Sequence, residues 1–160
     1  MITLKPFKNS DAEKIASWIV DEHTYYMICA DKYGSYPLNG ADICAYYKAL
    51  GPKAHPVTAF EGNDLVGHLL MRPLDGGIRF SFVLVDSTVR SKGYGRQMLT
   101  AALKTAFEDL KAKEVTIGVF ESNIGAYNLY KSLGFCEFSK TAIKVSGKEQ
   151  PYITLKKSAE

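Results

Sequence analysis

The amino-acid sequence predicts a mixed α/β (α+β) fold in which a mostly antiparallel sheet carries helices on both faces. Three observations lead there. Short apolar runs separated by glycine-containing turns read as a meander of antiparallel strands. Residues 78–110 read as a strand, a tight basic loop and a long amphipathic helix. A second strand-then-helix passage follows over 115–133.

Taken in order, residues 2–5 alternate and form the first expected strand. Ser10-Asp11-Ala12-Glu13 has the form of a capping box, opening a helix that carries Ala12, Ile15 and Ile19 and fades near Val20. Residues 21–37 are dense in aromatic and acidic side chains and carry no expectation of helix or strand. A helix is expected over 41–50, stopped by Gly51-Pro52. Strands over 57–60 and 65–71 are joined by Glu61-Gly62-Asn63-Asp64, a hairpin turn by composition, and Asp75-Gly76-Gly77 turns the chain into the strand 78–85. That strand alternates at first and ends continuously apolar, as a strand does when it enters a core covered on both faces. The helix after it places Leu99, Leu103, Ala106 and Leu110 on one face. A strand over 115–120 and a helix over 123–133 with Gly134 at its C-cap come next. A hairpin of 135–145 and 152–155 around Ser146-Gly147-Lys148 closes the chain.

The loop between strand 78–85 and its helix has the chemistry of an anion site. Gly93 and Gly95 are free to take backbone angles closed to other residues, which lets consecutive amides turn towards one point. The helix start adds unpaired N–H groups and the positive end of the dipole, and Arg90, Lys92 and Arg96 add formal charge. A pyrophosphate, with several oxygens for several donors, suits that rim better than a carboxylate. No G-x-x-x-x-G-K-[ST] run exists, and a G-x-G-x-x-G fingerprint fails at Met98, which disfavours an ATPase and a dinucleotide fold.

Composition narrows the class. The 160 residues suit one domain with a substantial core, and 46% of them are hydrophobic. A net charge of +3 is too mild for a nucleic-acid-binding face. No apolar run is long enough to span a bilayer and the N-terminus lacks a signal peptide's apolar region, so no membrane partner is expected. Cys29, Cys44 and Cys136 are an odd count without metal-ligand spacing, which points to a reducing cytoplasm and to no metal.

Two motifs resemble those of the GNAT superfamily of acyl-CoA-dependent N-acetyltransferases. The loop Arg90, Gly93, Gly95 matches [QR]-x-x-G-x-[GA]. The passage Asn123-Ile124-Gly125-Ala126-Tyr127-Asn128-Leu129-Tyr130-Lys131-Ser132-Leu133-Gly134-Phe135 matches the family's N…Y helix followed by G-F. The resemblance implies a single GNAT-like domain over 1–160 with a sheet splayed at its centre, acetyl-CoA as co-substrate and a primary amine of a small molecule or protein as acceptor. By the same carry-over, the backbone of Val83, Leu84 and Val85 would pair with the pantetheine arm. Arg90, Ser91, Lys92, Gly93, Tyr94, Gly95 and Arg96 would hold the pyrophosphate, and Asn123 would touch the cofactor. Tyr130 would protonate the departing thiolate while the amine attacks directly, with no metal and no covalent enzyme intermediate. Each residue also has a plainer role open to it: Asn123 as an N-cap, Tyr130 as a core aromatic with Tyr127 as the competing acid, Arg90 as a solvated surface charge.

The general base is the gap in this resemblance. An alkyl amine is unprotonated in only about one molecule in a thousand at neutral pH, so its proton must be removed. The positions where relatives carry a glutamate for this purpose hold Arg79 and Gly118 here. Glu22, His23, His68, Asp86 and Glu121 are candidates by chemistry alone, and a water chain is another. For the acceptor, Glu22, Tyr25, Tyr26 and Tyr33 in the 21–36 passage would suit a cationic amine through charge and cation–π attraction, with surface packing on the sheet as the plain alternative. The rival to an enzyme is a catalytically silent acyl-CoA-binding module of the same fold. The oligomeric state is open, a homodimer included.

Overall fold

Alternating apolar positions give seven strands, and their pairing gives one sheet in the order β1-β2-β3-β4-β5-β7-β6. In chain order these are β1 (Ile2–Pro6), β2 (His55–Glu61), β3 (Asp64–Leu74), β4 (Gly77–Val85), β5 (Glu114–Phe120), β6 (Cys136–Val145) and β7 (Lys148–Ser158). The computed structural model describes residues 1–29, 36–89 and 92–159. All neighbouring strands run antiparallel except β4 and β5. The helices are α1 (Ala12–Ser17), α2 (Glu22–Cys29), α3 (Gly40–Leu50), α4 (Tyr94–Lys104) and α5 (Ile124–Ser132). Among the described residues no helix is long and apolar enough to cross a membrane.

The sheet separates two apolar clusters. One packs Met98, Leu99, Ala102 and Leu103 of α4 against Leu69, Met71, Ile78 and Phe80 of the central strands. The other packs Ile15, Tyr25, Ile43 and Tyr47 of α1–α3 against Leu70, Phe82 and Leu84. A sheet sealed on both faces needs strands apolar on both sides, which is why β3 reads as a nearly continuous apolar run.

Several boundaries depart from the expectation. Residues 22–29, for which the sequence carries no expectation, form α2, whose first turn is held by Thr24 N donating to Asp21 Oδ1 at 2.7 Å. The capping box expected at Ser10–Glu13 lies elsewhere, because a 3₁₀ turn at Asn9–Asp11 precedes α1. Asp11 Oδ2 accepts from Lys8 N at 2.9 Å and from Thr58 Oγ1 at 3.0 Å, while Glu13 Oε1 accepts from Gly40 N at 2.8 Å and ties α1 to the start of α3. The long helix does not run on regularly to Leu110: after Lys104 it widens into a π turn at Thr105–Asp109, with Leu110 N donating to Thr105 O. The β2, β3 and β7 strands extend beyond their expected limits.

The turn Asp75-Gly76 has φ of 49° and 81°, as a two-residue hairpin turn with both residues left-handed requires. It sets Leu74 opposite Gly77, Pro73 opposite Ile78 and Arg72 opposite Arg79. Further along, the β3–β4 register slips, so that His68 faces Leu84 but Leu70 faces Ser81. The extra residue is accommodated at Phe82, whose φ is 54°. A one-residue slip exchanges the faces of a strand. Accordingly Ile78 and Phe80 belong to the α4 cluster, whereas Phe82 and Leu84 belong to the cluster under α1–α3.

His68 lies in the second cluster, 1% exposed, with Phe7 and Tyr47 against its ring and the Tyr47 hydroxyl bonded to Nε2. Burial pushes its pKa down to about 3 from 6.5. The native state therefore holds the ring neutral while the unfolded chain takes up a proton below its ordinary pKa. The contribution is complete above that value and is lost as the pH falls from 6.5 towards 3. At pH 5 the loss from this one group is about 2 kcal/mol. Urea midpoints at pH 7 and pH 5 should show a His68→Gln variant losing less stability than the parent by roughly that amount. Equal losses would mean that His68 does not carry the acid sensitivity.

Candidate active site

The bulge at Phe82 opens the sheet. The parallel pairing of β4 with β5 covers only Ile78 with Val115, Arg79 with Thr116 and Phe80 with Ile117. Beyond it β5 stays bound to β7 as far as Phe120, while β4 stays bound to β3 as far as Val85. The two strands thus diverge, and the edge of β4 at residues 83–85 has no partner strand on the β5 side among the described residues.

A cleft of ≈ 890 Å³ occupies this wedge. Val83, Leu84 and Val85 form its floor; His23, Met27 and Ile28 of α2 wall one side; Asn123, Ala126 and Leu129 wall the other. Asn123 serves as the N-cap of α5, accepting from Ala126 N at 3.3 Å, so the plain role and the cleft role coincide in one residue.

The first turn of α4 stands beside this wedge, with Gly95 next to Val85 and Leu129. Gly93 is left-handed, with φ of 77°, and is the N-cap of α4 without a side chain to satisfy the first amides. Gly95 does not use the backbone freedom the sequence allows it, since it lies inside α4. A Cβ on Gly95 would stand 3.5 Å from Leu129 and 3.8 Å from Val85, which are ordinary contacts, so packing alone does not demand glycine there. Lys92 and Arg96 are exposed, and Arg96 Nη2 donates to Ser132 Oγ of α5 at 2.7 Å. Tyr94 is half-buried against the α4 cluster. Arg90, Ser91 and Tyr33 lie outside the described residues.

A smaller cleft of ≈ 220 Å³ shares Met27 and Ile28 with the larger one and lies on the Phe80–Phe82 stretch of β4. Tyr46, Tyr152, Arg72 and Arg79 bring polar groups to it. Arg79 Nη2 donates to Tyr152 Oη at 3.0 Å. The pair sits over Gly118, where an added Cβ would collide with both groups. The two positions where a base is expected by resemblance are thus one unit: a guanidinium and a phenol seated in the space that a missing side chain leaves.

Tyr130 is 5% exposed, with its ring centroid 6.2 Å from that of Phe135. Burial first, and the nearby Tyr152 second, push its phenol well above the ordinary tyrosine range. Neither cleft counts Tyr130 among its lining residues, although its neighbours Ala126 and Leu129 line the larger one. Tyr127 is committed elsewhere, its hydroxyl donating to Glu137.

The remaining sequence candidates sort by position. Tyr25 is fully buried, its ring packed against Tyr26 and Tyr36, and cannot face an acceptor. Tyr26 is half-buried in the same cluster, and Glu22 is exposed on the first turn of α2 outside both clefts. Packing on the sheet accounts for these tyrosines, since a helix laid over β4 must bury its apolar face. Of the five groups considered as base, His68 is buried and neutral. Asp86 accepts from Thr88 N and Oγ1, Glu121 pairs with Lys140 at 2.9 Å, and of the five His23 alone lines either of these two clefts. Tyr46, Arg72 and Tyr152 were not expected; the pairing of Arg72 with Arg79 can be counted outward from the Asp75-Gly76 turn. Among the described residues no group of His, Cys, Asp and Glu could hold a metal ion.

The profile of the Acetyltransferase (GNAT) family matches residues 12–135, and the chain belongs to that family. It is 30% identical over 106 residues to the spermine/spermidine N(1)-acetyltransferase of Bacillus subtilis (strain 168), covering 61% of this chain. The match spans 65% of the length of that curated relative. Its fold is that of the spermidine N-acetyltransferase from Vibrio cholerae, solved in complex with CoA and spermine, with a TM-score of 0.83 at 16% identity over 98% of this chain and 95% of that one. A protein provisionally assigned as a phosphinothricin N-acetyltransferase superposes with a TM-score of 0.81 at 18% identity over 99% of this chain and 98% of that one.

If Gly118 is glycine because the Arg79–Tyr152 pair needs its space, Gly118→Ala should destabilise the fold by about 1–3 kcal/mol through overpacking. Denaturant midpoints measure this. A change below about 0.5 kcal/mol would show that the pair is free to move aside.

Proposed function

We propose that this chain is an acetyl-CoA-dependent N-acetyltransferase whose acceptor is a primary amine of a small molecule or protein. The observation that carries the reading is the wedge: a strand edge at 83–85 that has no partner on the β5 side among the described residues, laid open by the bulge and facing a cleft of ≈ 890 Å³. Backbone groups of Val83, Leu84 and Val85 would pair with the amides of that arm as a neighbouring strand would. Gly93, Tyr94, Gly95 and Arg96 at the start of α4, with Lys92, would hold the diphosphate, and by the motif Arg90 and Ser91 would join them. Asn123 would fix the position where the arm passes α5. Acetyl-CoA supplies the activated acyl thioester.

The smaller cleft, which shares Met27 and Ile28 with the larger, would admit the amine. Its nitrogen attacks the thioester carbonyl, the C–N bond forms as the C–S bond breaks, the nitrogen releases a proton to water and the sulfur takes one. Tyr130 Oη is the proposed donor: a phenol held protonated by burial keeps its proton through neutral pH and would pass it to the sulfur as negative charge develops there, since a thiolate in apolar surroundings is made more basic by the same desolvation. Two guanidinium groups with no carboxylate among the described lining residues also disfavour an ammonium in the cleft, so the amine would enter neutral more readily than in water. The relatives whose printed names specify an acceptor name polyamines, and these belong among the amines to be tried.

Calorimetry should show acetyl-CoA binding, and free thiol should appear when a matching amine is added. Binding with no turnover across polyamines, amino acids, aminoglycosides and peptides would favour the silent acyl-CoA-binding module. Absence of binding at millimolar concentration would remove the proposal. Tyr130→Phe should lower kcat on the order of a hundredfold with cofactor affinity nearly unchanged. The parent should show no falling limb in its rate profile below pH 10, the ordinary tyrosine value, since the phenol titrates above it. An unchanged rate in the variant would take Tyr130 out of the mechanism.

A further inference from the structure

The smaller cleft carries formal charge of one sign. Arg72 and Arg79 stand directly opposite each other on β3 and β4 and both line it. Like charges in directly opposed positions repel, and a fold keeps such a pair at a cost unless something negative lies between them. Among the described residues no carboxylate lines the cleft, and neither arginine makes an ion pair. Arg72 Nε is buried without a hydrogen-bond partner, although a buried donor is ordinarily satisfied. Arg79 is held in place by its bond to Tyr152 over the space left by Gly118.

Two guanidinium groups, one anchored and one with a spare buried donor, form a receptor for an oxyanion with two or more oxygens. The available volume, ≈ 220 Å³, is that of about seven water molecules and suits a group of amino-acid size. Resting on the acetyltransferase reading, we propose that the acceptor is a small primary amine that carries its own oxyanion, a carboxylate or a phosphonate, bound between Arg72 and Arg79. The aromatic wall of Tyr46, Phe82 and Phe120 would take its side chain. A polyamine has the wrong charge for this cleft.

Calorimetry on the full chain saturated with CoA tests this without requiring turnover. The titrants are the α-amino acids, their aminophosphonate counterparts, their amides, their decarboxylated amines, and spermidine. At least one amino acid or aminophosphonate should bind about tenfold or more tightly than its own amide and decarboxylated amine, and the comparison of the two acids identifies the preferred oxyanion. Arg72→Gln and Arg79→Gln should each reduce that preference to about threefold or less while CoA affinity stays as in the parent. Should either variant fail to fold, the panel on the parent protein decides alone. Amides or decarboxylated amines binding as tightly as the acids, spermidine binding above all of them, or no acceptor binding at all would each overturn the assignment. Failure of the parent to bind CoA is a different result: it removes the acetyltransferase reading, and this assignment with it.

Discussion

The fold depends on one displaced residue in β4. A strand that kept its alternation from Ile78 to Val85 would put every apolar side chain of one parity under α4 and would pair with β5 along its whole length. The slip at Phe82 prevents both. It hands Phe82 and Leu84 to the helices on the opposite face, and it turns the end of β4 away from β5 so that the sheet opens where α5 begins. A left-handed phenylalanine is costly, roughly 1–3 kcal/mol, and persists only when its surroundings fix it. Here the ring of Tyr46 meets Phe82 edge-on at 5.4 Å, and that of Tyr47 lies 6.5 Å away. The strain is held by the apolar cluster under α1–α3, and what it maintains is an unpaired strand edge, which a folded protein otherwise avoids.

The same slip divides the opening into two chambers with different chemistry. The larger is lined by the β4 edge, by apolar side chains, by His23 and Thr24 of α2 and by the capped start of α5, and it suits a long arm of mixed polarity. The smaller is lined by guanidinium groups, phenols and aromatic rings. Met27 and Ile28 of α2 are common to both, so the helix that was hardest to anticipate is the element that joins them.

Much of this is legible in the sequence, and the exceptions have physical reasons. Strand alternation and hairpin chemistry identify each strand, and the Asp75-Gly76 turn fixes by counting that Arg72 faces Arg79. Loop and helix motifs identify Gly93 and Asn123. The bulge leaves no mark, because nothing in Ser81-Phe82-Val83 distinguishes a residue that tertiary packing will force to positive φ; glycine or asparagine would have been the signal. Helix α2 is hidden because His23, Thr24, Tyr25 and Tyr26 are poor helix formers, with Asp21 as the one capping signal. By composition Tyr25 and Tyr26 suit either a cationic amine or packing on the sheet, and composition does not say which ring of a helix faces the sheet. Burial decides it, and Tyr25 faces inward. Arg79 and Gly118 looked like two absences; side by side they are one filled place.

That filled place changes what the chemistry requires. A carboxylate base serves a cationic acceptor twice, by attracting it and then by taking its proton. A cleft built on arginine can do neither, and the amine's proton must be made labile in another way. An amino acid's ammonium is stabilised in water partly by its own neighbouring oxyanion. Binding that oxyanion between Arg72 and Arg79 spends its charge on the guanidinium groups and leaves the ammonium facing positive potential, both of which lower its pKa. The acceptor's anion would then act as the handle for binding and, through its neutralisation, as the means of deprotonation. Arg79 and Gly118 at the two positions expected to hold a carboxylate would then follow from the kind of amine proposed for the cleft.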